Sequence, residues 1–85
     1  GKVAAALAFL TDGDFVFVHV EAPDECGHGG DAAGKTEAVA RFDARIVAPM
    51  VEALGDDAAF VIACDHLTPI AIRTHAADPV PFLFW

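Results

Sequence analysis

The longest regular pattern in the chain predicts a helix over residues 31–54 or 32–54. Its apolar residues recur at spacings of three and four, which places them on one face of an α-helix. They are Val39, Phe42, Ile46, Met50 and Leu54. Asp31 is a suitable N-cap, and Gly55 is a suitable residue just past the C-terminus. Pro49 lies inside this helix and removes one backbone hydrogen bond, so we expect a kink near Ile46.

A second, shorter helix is predicted over residues 2–10, where alanine is frequent and the larger apolar residues share one face. The sequence Thr-Asp-Gly at 11–13 should end it, with a glycine able to take a positive φ. Residues 21–30 are rich in glycine, proline and acidic side chains, which predicts a loop. Glu37 and Arg41 are four residues apart and should form a favourable pair on the outer face of the long helix.

Three segments have the composition of buried strands. Residues 14–20 and 58–64 are dominated by aromatic, β-branched and small apolar side chains, and 80–85 form a third apolar run that begins between two prolines. A further short strand is expected at 70–73. Strands that are apolar on both faces are typical of parallel sheets covered by helices on each side.

The order of elements predicts an α/β fold. Strand, long helix and strand form a right-handed βαβ crossover unit, and therefore a mostly parallel sheet. Ligands of such sheets bind outside the carboxyl ends of the strands. The segments that follow the first two predicted strands should therefore lie along one edge of the sheet.

Composition excludes several classes of protein. The 85 residues carry a net charge of −8, and 55% of them are hydrophobic. The acidic balance, with no basic cluster, argues against nucleic-acid binding. The longest apolar run, residues 3–10, is too short for a membrane span, and no signal peptide is evident. High apolar content argues against disorder. Cys26 and Cys64 are read as free thiols in a reducing compartment, which suggests a cytoplasmic protein.

Three short segments carry the candidate chemistry: 22–28 (APDECGH), 64–66 (CDH) and 73–75 (RTH). Carboxylates and imidazoles together suit divalent ions such as Zn²⁺ or Mn²⁺, and two sets of ligands would suit a two-metal site for phosphoryl chemistry. The candidate ligands are Asp24, His28, Asp65, His66 and His75.

Each of these side chains also has an ordinary structural interpretation. The aspartates can cap turns, and the histidines can be solvated or hydrogen-bonded. His19 lies mid-strand on an apolar face and is interpreted as a satisfied core histidine. Arg73 could bind a phosphate or carboxylate, or form a surface pair. The chain has no serine, no GxSxG elbow, no phosphate-binding GxxxxGK[ST] loop, and no threonine beside an obvious base.

Two segments in this order resemble a known family: VHVEAPDECGHGGD, and CDHLTPIAIRTHAADPVPFLFW after the long helix. They are similar to the C-terminal part of cofactor-independent (2,3-bisphosphoglycerate-independent) phosphoglycerate mutases. The closer similarity is to the archaeal-type branch, which includes homoserine kinase-like sequences. That branch belongs to the alkaline phosphatase-like metalloenzymes, which have a three-layer α/β/α fold. The resemblance covers residues 2–85.

The resemblance implies a centre of two divalent metal ions. Mn²⁺ is the metal expected first, and Mg²⁺ or Zn²⁺ are the alternatives. By position, Asp24, His28 and His75 would bind one ion, and Asp65 and His66 the other, with Arg73 near the substrate. Family members are isomerases of glycolysis that interconvert 3-phosphoglycerate and 2-phosphoglycerate. A serine or threonine near the N-terminus carries the phosphoryl group.

That nucleophile, an N-terminal aspartate of the second metal site and the substrate-binding domain have no counterpart here. Residues 1–85 are therefore expected to be an incomplete C-terminal portion of a metalloenzyme domain, inactive alone. Its partners would be a small phosphorylated substrate and the N-terminal part of the same chain, with an oligomer left open. Two other hypotheses remain. One is another phosphotransferase or hydrolase of the superfamily, such as a homoserine kinase-like protein, a phosphomutase or a phosphonate hydrolase. The other is a non-catalytic remnant.

Overall fold

The computed structural model describes all residues from Gly1 to Trp85. Four α-helices precede a small sheet: α1 (Lys2–Leu10), α2 (Ala22–His28), α3 (Ala32–Phe42) and α4 (Ala48–Leu54), then strands β1 (Val61–Ala63) and β2 (Phe82–Phe84). A π-helical segment, Asp43–Val47, joins α3 to α4, and a 3₁₀ turn, Gly55–Asp57, follows α4. None of the helices is long and apolar enough to cross a membrane.

The long helix predicted from the apolar stripe is present as the continuous stretch of α3, the π-helical segment and α4. Asp31 caps it, because its Oδ1 accepts a hydrogen bond from the Gly34 backbone N–H at 2.9 Å. Gly55 ends it with φ +51°, a conformation that favours glycine. Where a kink was expected near Ile46, the structure has the π-helical segment, which lies just before Pro49 and accommodates its missing donor.

The expected loop at residues 21–30 is wrong in its centre, where α2 forms. Pro23 suits a first helical turn, and the acidic side chains of Asp24 and Glu25 favour the positive end of the helix dipole. His28 lies in the last turn, where a cationic side chain would be stabilised. Gly27 and the glycines after it favour a loop in sequence, but Gly27 allows the backbone of Thr68 to approach the helix.

The structure does not contain the predicted parallel sheet. β1 and β2 lie within two of the predicted strands but pair antiparallel, with Ile62 opposite Leu83. Reciprocal backbone hydrogen bonds between Phe60 and Trp85, at 2.7 and 2.9 Å, continue the pairing. The predicted strand at 14–20 has no regular secondary structure, since no other strand lies beside it to complete its hydrogen bonds. The segment expected as a short strand at 70–73 is a turn, with the Ile72 and Arg73 amides bonded to the Pro69 carbonyl.

Only four residues are buried: Ala6, Gly27, Met50 and Thr68. The accessible surface is 6099 Å², against about 4,800 Å² for a compact monomer of this mass. The radius of gyration is 14.2 Å, against about 12 Å for a compact domain of this length. Many large apolar side chains remain exposed: Phe9, Phe15, Phe17, Val39, Val61, Ile72, Phe82, Leu83, Phe84 and Trp85. These 85 residues do not cover their own apolar surface.

Candidate metal centre

Three separate segments bring the candidate ligands together. Asp24 and His28 are four residues apart on α2, so they lie on the same side of that helix. His66 follows β1, and His75 lies at the far end of the loop that returns towards β2. An isolated antiparallel bridge between Leu67 and Ala76 holds the two arms of this loop together, one residue beyond each histidine.

Asp24, His28 and His75, the three ligands expected to share one ion, form a close group. Nε2 of His28 lies 3.3 Å from Oδ2 of Asp24, and Nε2 of His75 lies 3.5 Å from Oδ1 of Asp24. The two Nε2 atoms are 3.2 Å apart. Contacts this short between residues 47 positions apart require that α2 and the returning loop be packed together.

Asp65 and His66, expected to hold the second ion, are neighbours with Oδ1 3.4 Å from Nε2. Asp65 is 69% exposed, and the same Oδ1 accepts a hydrogen bond from the His66 backbone amide at 3.0 Å. The ordinary structural role of this aspartate, a turn cap that accepts from a neighbouring backbone amide, is therefore also present. The His66 ring stacks on that of His75 with centroids 3.6 Å apart, so the two expected ligand sets are adjacent.

Another grouping cuts across the two expected sets. One ligand atom each from Asp24, His66 and His75 lie within 4.8 Å of one another. The geometry is thus compatible with one ion held by these three residues as well as with two ions. Counting the bound ions distinguishes the two arrangements.

The hydrogen-bond partners of His28 show which of its ring nitrogens carries the proton. Its Nδ1 lies 3.0 Å from the backbone carbonyl oxygen of Arg73, which only accepts hydrogen bonds, so Nδ1 carries the proton. In the neutral ring, the Nε2 lone pair then faces the Asp24 carboxylate and His75. A cation stabilises such a convergence of acceptors, and a hydrogen bond at the second nitrogen is the usual way in which proteins orient a metal-binding histidine. The donor set therefore fits a divalent ion.

Thr68 belongs to this site and was missed in the sequence analysis. Its hydroxyl donates a hydrogen bond to Oδ1 of Asp24 at 2.5 Å and lies 3.2 Å from Nδ1 of His66. The expectation that no threonine lies beside a base is therefore wrong. Thr68 is only 4% exposed, so its hydroxyl is not available as a nucleophile. The signal in the sequence was weak: a hydroxyl two residues after His66 in DHLTP.

The electrostatics of the site centre on Asp24. The hydrogen bond from Thr68 is the main cause that holds the pKa of Asp24 below its ordinary value. The neighbouring rings of His28, His75 and His66 act in the same direction, and partial desolvation opposes them. Asp24 is therefore an ionised carboxylate at neutral pH, the form that binds a cation.

Arg73 contacts the site through its backbone rather than its side chain. Its carbonyl accepts from His28, while its guanidinium packs against Gly30, where an added Cβ would lie 2.5 Å from Nε. Arg73 also has φ +55°, which is uncommon for a residue with a side chain. A role of the guanidinium in binding substrate stays a prediction.

The remaining candidates lie outside the ligand group. The His19 side chain is 53% exposed, so the interpretation as a core histidine is wrong, and its ring lies 4.0 Å from the Glu21 carboxylate. Cys26 is half-buried, Cys64 is exposed, and both thiols are free. A small, largely polar cleft of about 150 Å³ opens beside the ligands. It is lined by His19, Val20, Glu21, Asp24, Glu25, Asp65 and His66.

Comparison with known proteins gives this geometry a family. A model of the metalloenzyme superfamily matches residues 2–85. The whole chain is 52% identical over 88 residues to the 2,3-bisphosphoglycerate-independent phosphoglycerate mutase of Methanosarcina mazei, and covers 22% of that protein. It is 55% identical over 85 residues to the mutase of the same name from Methanosarcina barkeri, with 96% of this chain and 21% of that protein aligned.

A third relative, the 2,3-bisphosphoglycerate-independent phosphoglycerate mutase of Methanothrix thermoacetophila, is 49% identical over 96% of this chain and 22% of its own length. The chain thus spans about a fifth of the length of the curated relatives that it matches. No solved structure matches it. The family model covers almost every residue, including all the candidate ligands described above, and the chain belongs to the metalloenzyme superfamily.

Proposed function

We propose that this chain supplies part of the divalent metal centre of a 2,3-bisphosphoglycerate-independent phosphoglycerate mutase, which interconverts 3-phosphoglycerate and 2-phosphoglycerate through a phosphoenzyme. The observation that carries the proposal is the meeting of Asp24, His28, His66 and His75 from three segments, in a chain 52% identical to a protein of that name. The chain covers only part of such a protein, so it is not expected to turn over substrate by itself.

In this proposal Asp24, His28 and His75 hold one ion, and Asp65 and His66 help to hold a second. Mn²⁺ is the ion proposed first, and Mg²⁺ or Zn²⁺ are the alternatives. When bound, such ions would lower the pKa of the hydroxyl that accepts the phosphoryl group and would stabilise the charge on that group. That hydroxyl is proposed to lie outside these residues, because the chain has no serine and the threonine hydroxyl that contacts Asp24, that of Thr68, is buried.

The protein's own groups prepare the site. The Thr68 hydroxyl orients the Asp24 carboxylate, and the Arg73 carbonyl keeps the His28 proton on Nδ1. The polar cleft beside Asp24, Asp65 and His66 gives a small phosphorylated molecule access to the ligands. Arg73 is proposed to contact that substrate.

The rest of the domain is proposed to complete a three-layer α/β/α fold with a mostly parallel sheet, of which residues 1–85 are the C-terminal portion. Residues 14–20 support this proposal, because Phe15 and Phe17 are exposed on a segment with no strand partner. The exposed apolar side chains of β1 and β2 would be covered by the remainder of the chain or by a second subunit. A cytoplasmic location is proposed from the two free thiols.

The test uses the complete natural chain that contains these residues. The metal-stripped protein is incubated with 3-phosphoglycerate, with and without Mn²⁺, and formation of 2-phosphoglycerate is followed by ³¹P NMR. We expect isomerisation only with added metal. Isomerisation in the presence of excess chelator would contradict the proposed centre. Metal binding without isomerisation, together with turnover of another phosphoryl compound, would instead favour a different member of the superfamily.

A further inference from the structure

Thr68 is held in place from several sides. It is one of the four buried residues, and its backbone carbonyl accepts a hydrogen bond from Nζ of Lys35 at 2.8 Å. Gly27 of α2 lies directly against it, because a Cβ at Gly27 would be 2.5 Å from the Thr68 carbonyl oxygen. Helices α2 and α3 thus both fix the backbone that carries the Thr68 hydroxyl.

The direction of the hydrogen bonds at this hydroxyl follows from the groups around it. A hydroxyl has one proton, and the Asp24 carboxylate only accepts, so the Thr68 proton points to Asp24. The oxygen must then accept from Nδ1 of His66, 3.2 Å away. The Leu67 carbonyl, 3.4 Å from the same nitrogen, also only accepts. Both neighbours of Nδ1 therefore require the proton of His66 on that nitrogen. The Nε2 lone pair then lies 3.4 Å from Oδ1 of Asp65, and a cation would stabilise these two facing acceptors.

We infer that Thr68 is a positioning residue of the metal centre, which orients the Asp24 carboxylate and fixes the His66 ring with Nε2 available for a cation. This inference rests on the proposed function. Thr68 joins the two expected ligand sets: Asp24 belongs to the first, and His66 to the second. A single buried hydroxyl thereby sets the relative orientation of two candidate ligands that lie far apart in the sequence.

A matched pair of variants separates the hydroxyl from the packing of Thr68. T68S and T68A both lack the γ-methyl group and differ only in the hydroxyl. T68V keeps the shape of threonine and removes the hydroxyl. T36V is the control, since the Thr36 hydroxyl bonds only to Ala32 of its own helix and is exposed. All variants are made in the complete natural chain.

Two measurements are made on each variant. Mn²⁺ affinity is measured by electron paramagnetic resonance titration, and the His66 tautomer by ¹⁵N NMR of the metal-free protein. We expect T68A and T68V to bind Mn²⁺ about 10- to 100-fold more weakly, as is usual when a group that orients a metal ligand is removed. T68S and T36V should bind like wild type. The Nδ1–H tautomer of His66 should predominate in wild type and T68S, and lose that predominance in T68A.

Equal Mn²⁺ affinities or equal His66 tautomers in T68S and T68A would overturn the inference, because the hydroxyl would then have no role beyond packing. If T68V does not fold, the T68S and T68A pair still decides. A wild-type protein that binds no Mn²⁺ would refute the proposed function instead. The tautomer comparison in the metal-free protein would even then show whether Thr68 orients His66.

Discussion

Nε2 of His28 lies 3.2 Å from Nε2 of His75, although the two histidines are 47 positions apart along the chain. The Arg73 carbonyl holds the proton of His28 on the opposite ring nitrogen, so the two Nε2 atoms meet beside the Asp24 carboxylate. Two imidazoles and a carboxylate in this arrangement can share a proton or bind a cation. Measuring metal binding after one of the two imidazole rings is removed distinguishes proton sharing from cation binding.

We expect His75→Ala to weaken Mn²⁺ binding by more than the about 10- to 100-fold that follows from losing an orienting partner, because a ligand itself is removed. His19→Ala is the matched control, since His19 is the one histidine outside the ligand group. Isothermal titration of the complete natural chain with Mn²⁺ makes the measurement. Full metal occupancy and mutase activity in His75→Ala would show that His75 is not a ligand.

The same titration counts the ions. Two ions per chain are expected if Asp24, His28 and His75 bind one and Asp65 with His66 the other. A single ion would favour the grouping of Asp24, His66 and His75 within 4.8 Å.

Local signals in the sequence were sufficient to predict the long helix. The apolar stripe, the Asp31 cap and the disruption before Pro49 all depend on residues within a few positions of one another. The pairing of strands is a different problem. Apolar residues on both faces of 14–20 predict burial, but they do not specify a partner strand, and within these 85 residues none pairs with it. The direction of pairing between β1 and β2 likewise had no local signal.

For the site, the resemblance assigned Asp24 and His28 to one ion, and α2 brings them together on one helical face. The segment that carries them was expected to be a loop, and that prediction was wrong. Thr68 could not be found in this way, because its hydrogen-bond partner Asp24 lies 44 positions away. The contact depends on Gly27, because a residue without a side chain leaves room for Thr68 to pack against α2. Nothing beside Gly27 in the sequence indicates this packing.

Gly27→Ala should therefore disturb the fold and the site together. The new Cβ would lie 2.5 Å from the Thr68 carbonyl oxygen and 2.9 Å from its Cγ2. We expect a loss of about 1–3 kcal/mol in the free energy of unfolding, as for other overpacked positions, measured by urea denaturation. Mn²⁺ affinity should fall as well. In the control, Gly29→Ala, the nearest atom to the new Cβ is 3.5 Å away and φ is −76°, so little change is expected. Equal stabilities of the two variants would contradict the close contact between α2 and Thr68.

Asp31→Ala tests the cap of the long helix. Loss of the Oδ1 acceptor leaves the Gly34 amide without its partner, which should cost about 1 kcal/mol of unfolding free energy. Glu52→Ala, on an exposed position of α4, should change stability by less than about 0.5 kcal/mol. Mn²⁺ affinity should be unchanged in both variants, because Asp31 has no contact with the ligand group. Urea denaturation and metal titration of the same samples check both statements.

Arg73→Ala separates the side chain of Arg73 from its backbone. The carbonyl that orients His28 is retained, so Mn²⁺ affinity should stay at the wild-type value. If the guanidinium binds the phosphorylated substrate, KM for 3-phosphoglycerate should rise about 10- to 100-fold, since hydrogen bonds to charged groups contribute about 1.5–3 kcal/mol. Arg41→Ala removes an exposed arginine paired with Glu37 on the long helix and should leave KM unchanged. An unchanged KM in Arg73→Ala would limit the role of Arg73 to its carbonyl.

The Asp24 carboxylate should make the stability of the metal-free protein depend on pH. Its pKa is held below the ordinary value, chiefly by the hydrogen bond from Thr68. A lowered pKa in the folded state contributes stability above the pKa of the unfolded chain, about 3.9 for aspartate, and that stability is lost as pH falls through the lowered value. The unfolding free energy of wild type should therefore exceed that of Asp24→Asn by the largest amount above about pH 4. The difference between them should decrease at lower pH. Urea denaturation in chelator across this range makes the measurement. When Thr68→Val is also present, the difference between the two proteins should depend less on pH, because the main cause of the lowered Asp24 pKa is removed. A difference between wild type and Asp24→Asn that is independent of pH would mean that Asp24 has the same pKa in the folded and unfolded chains.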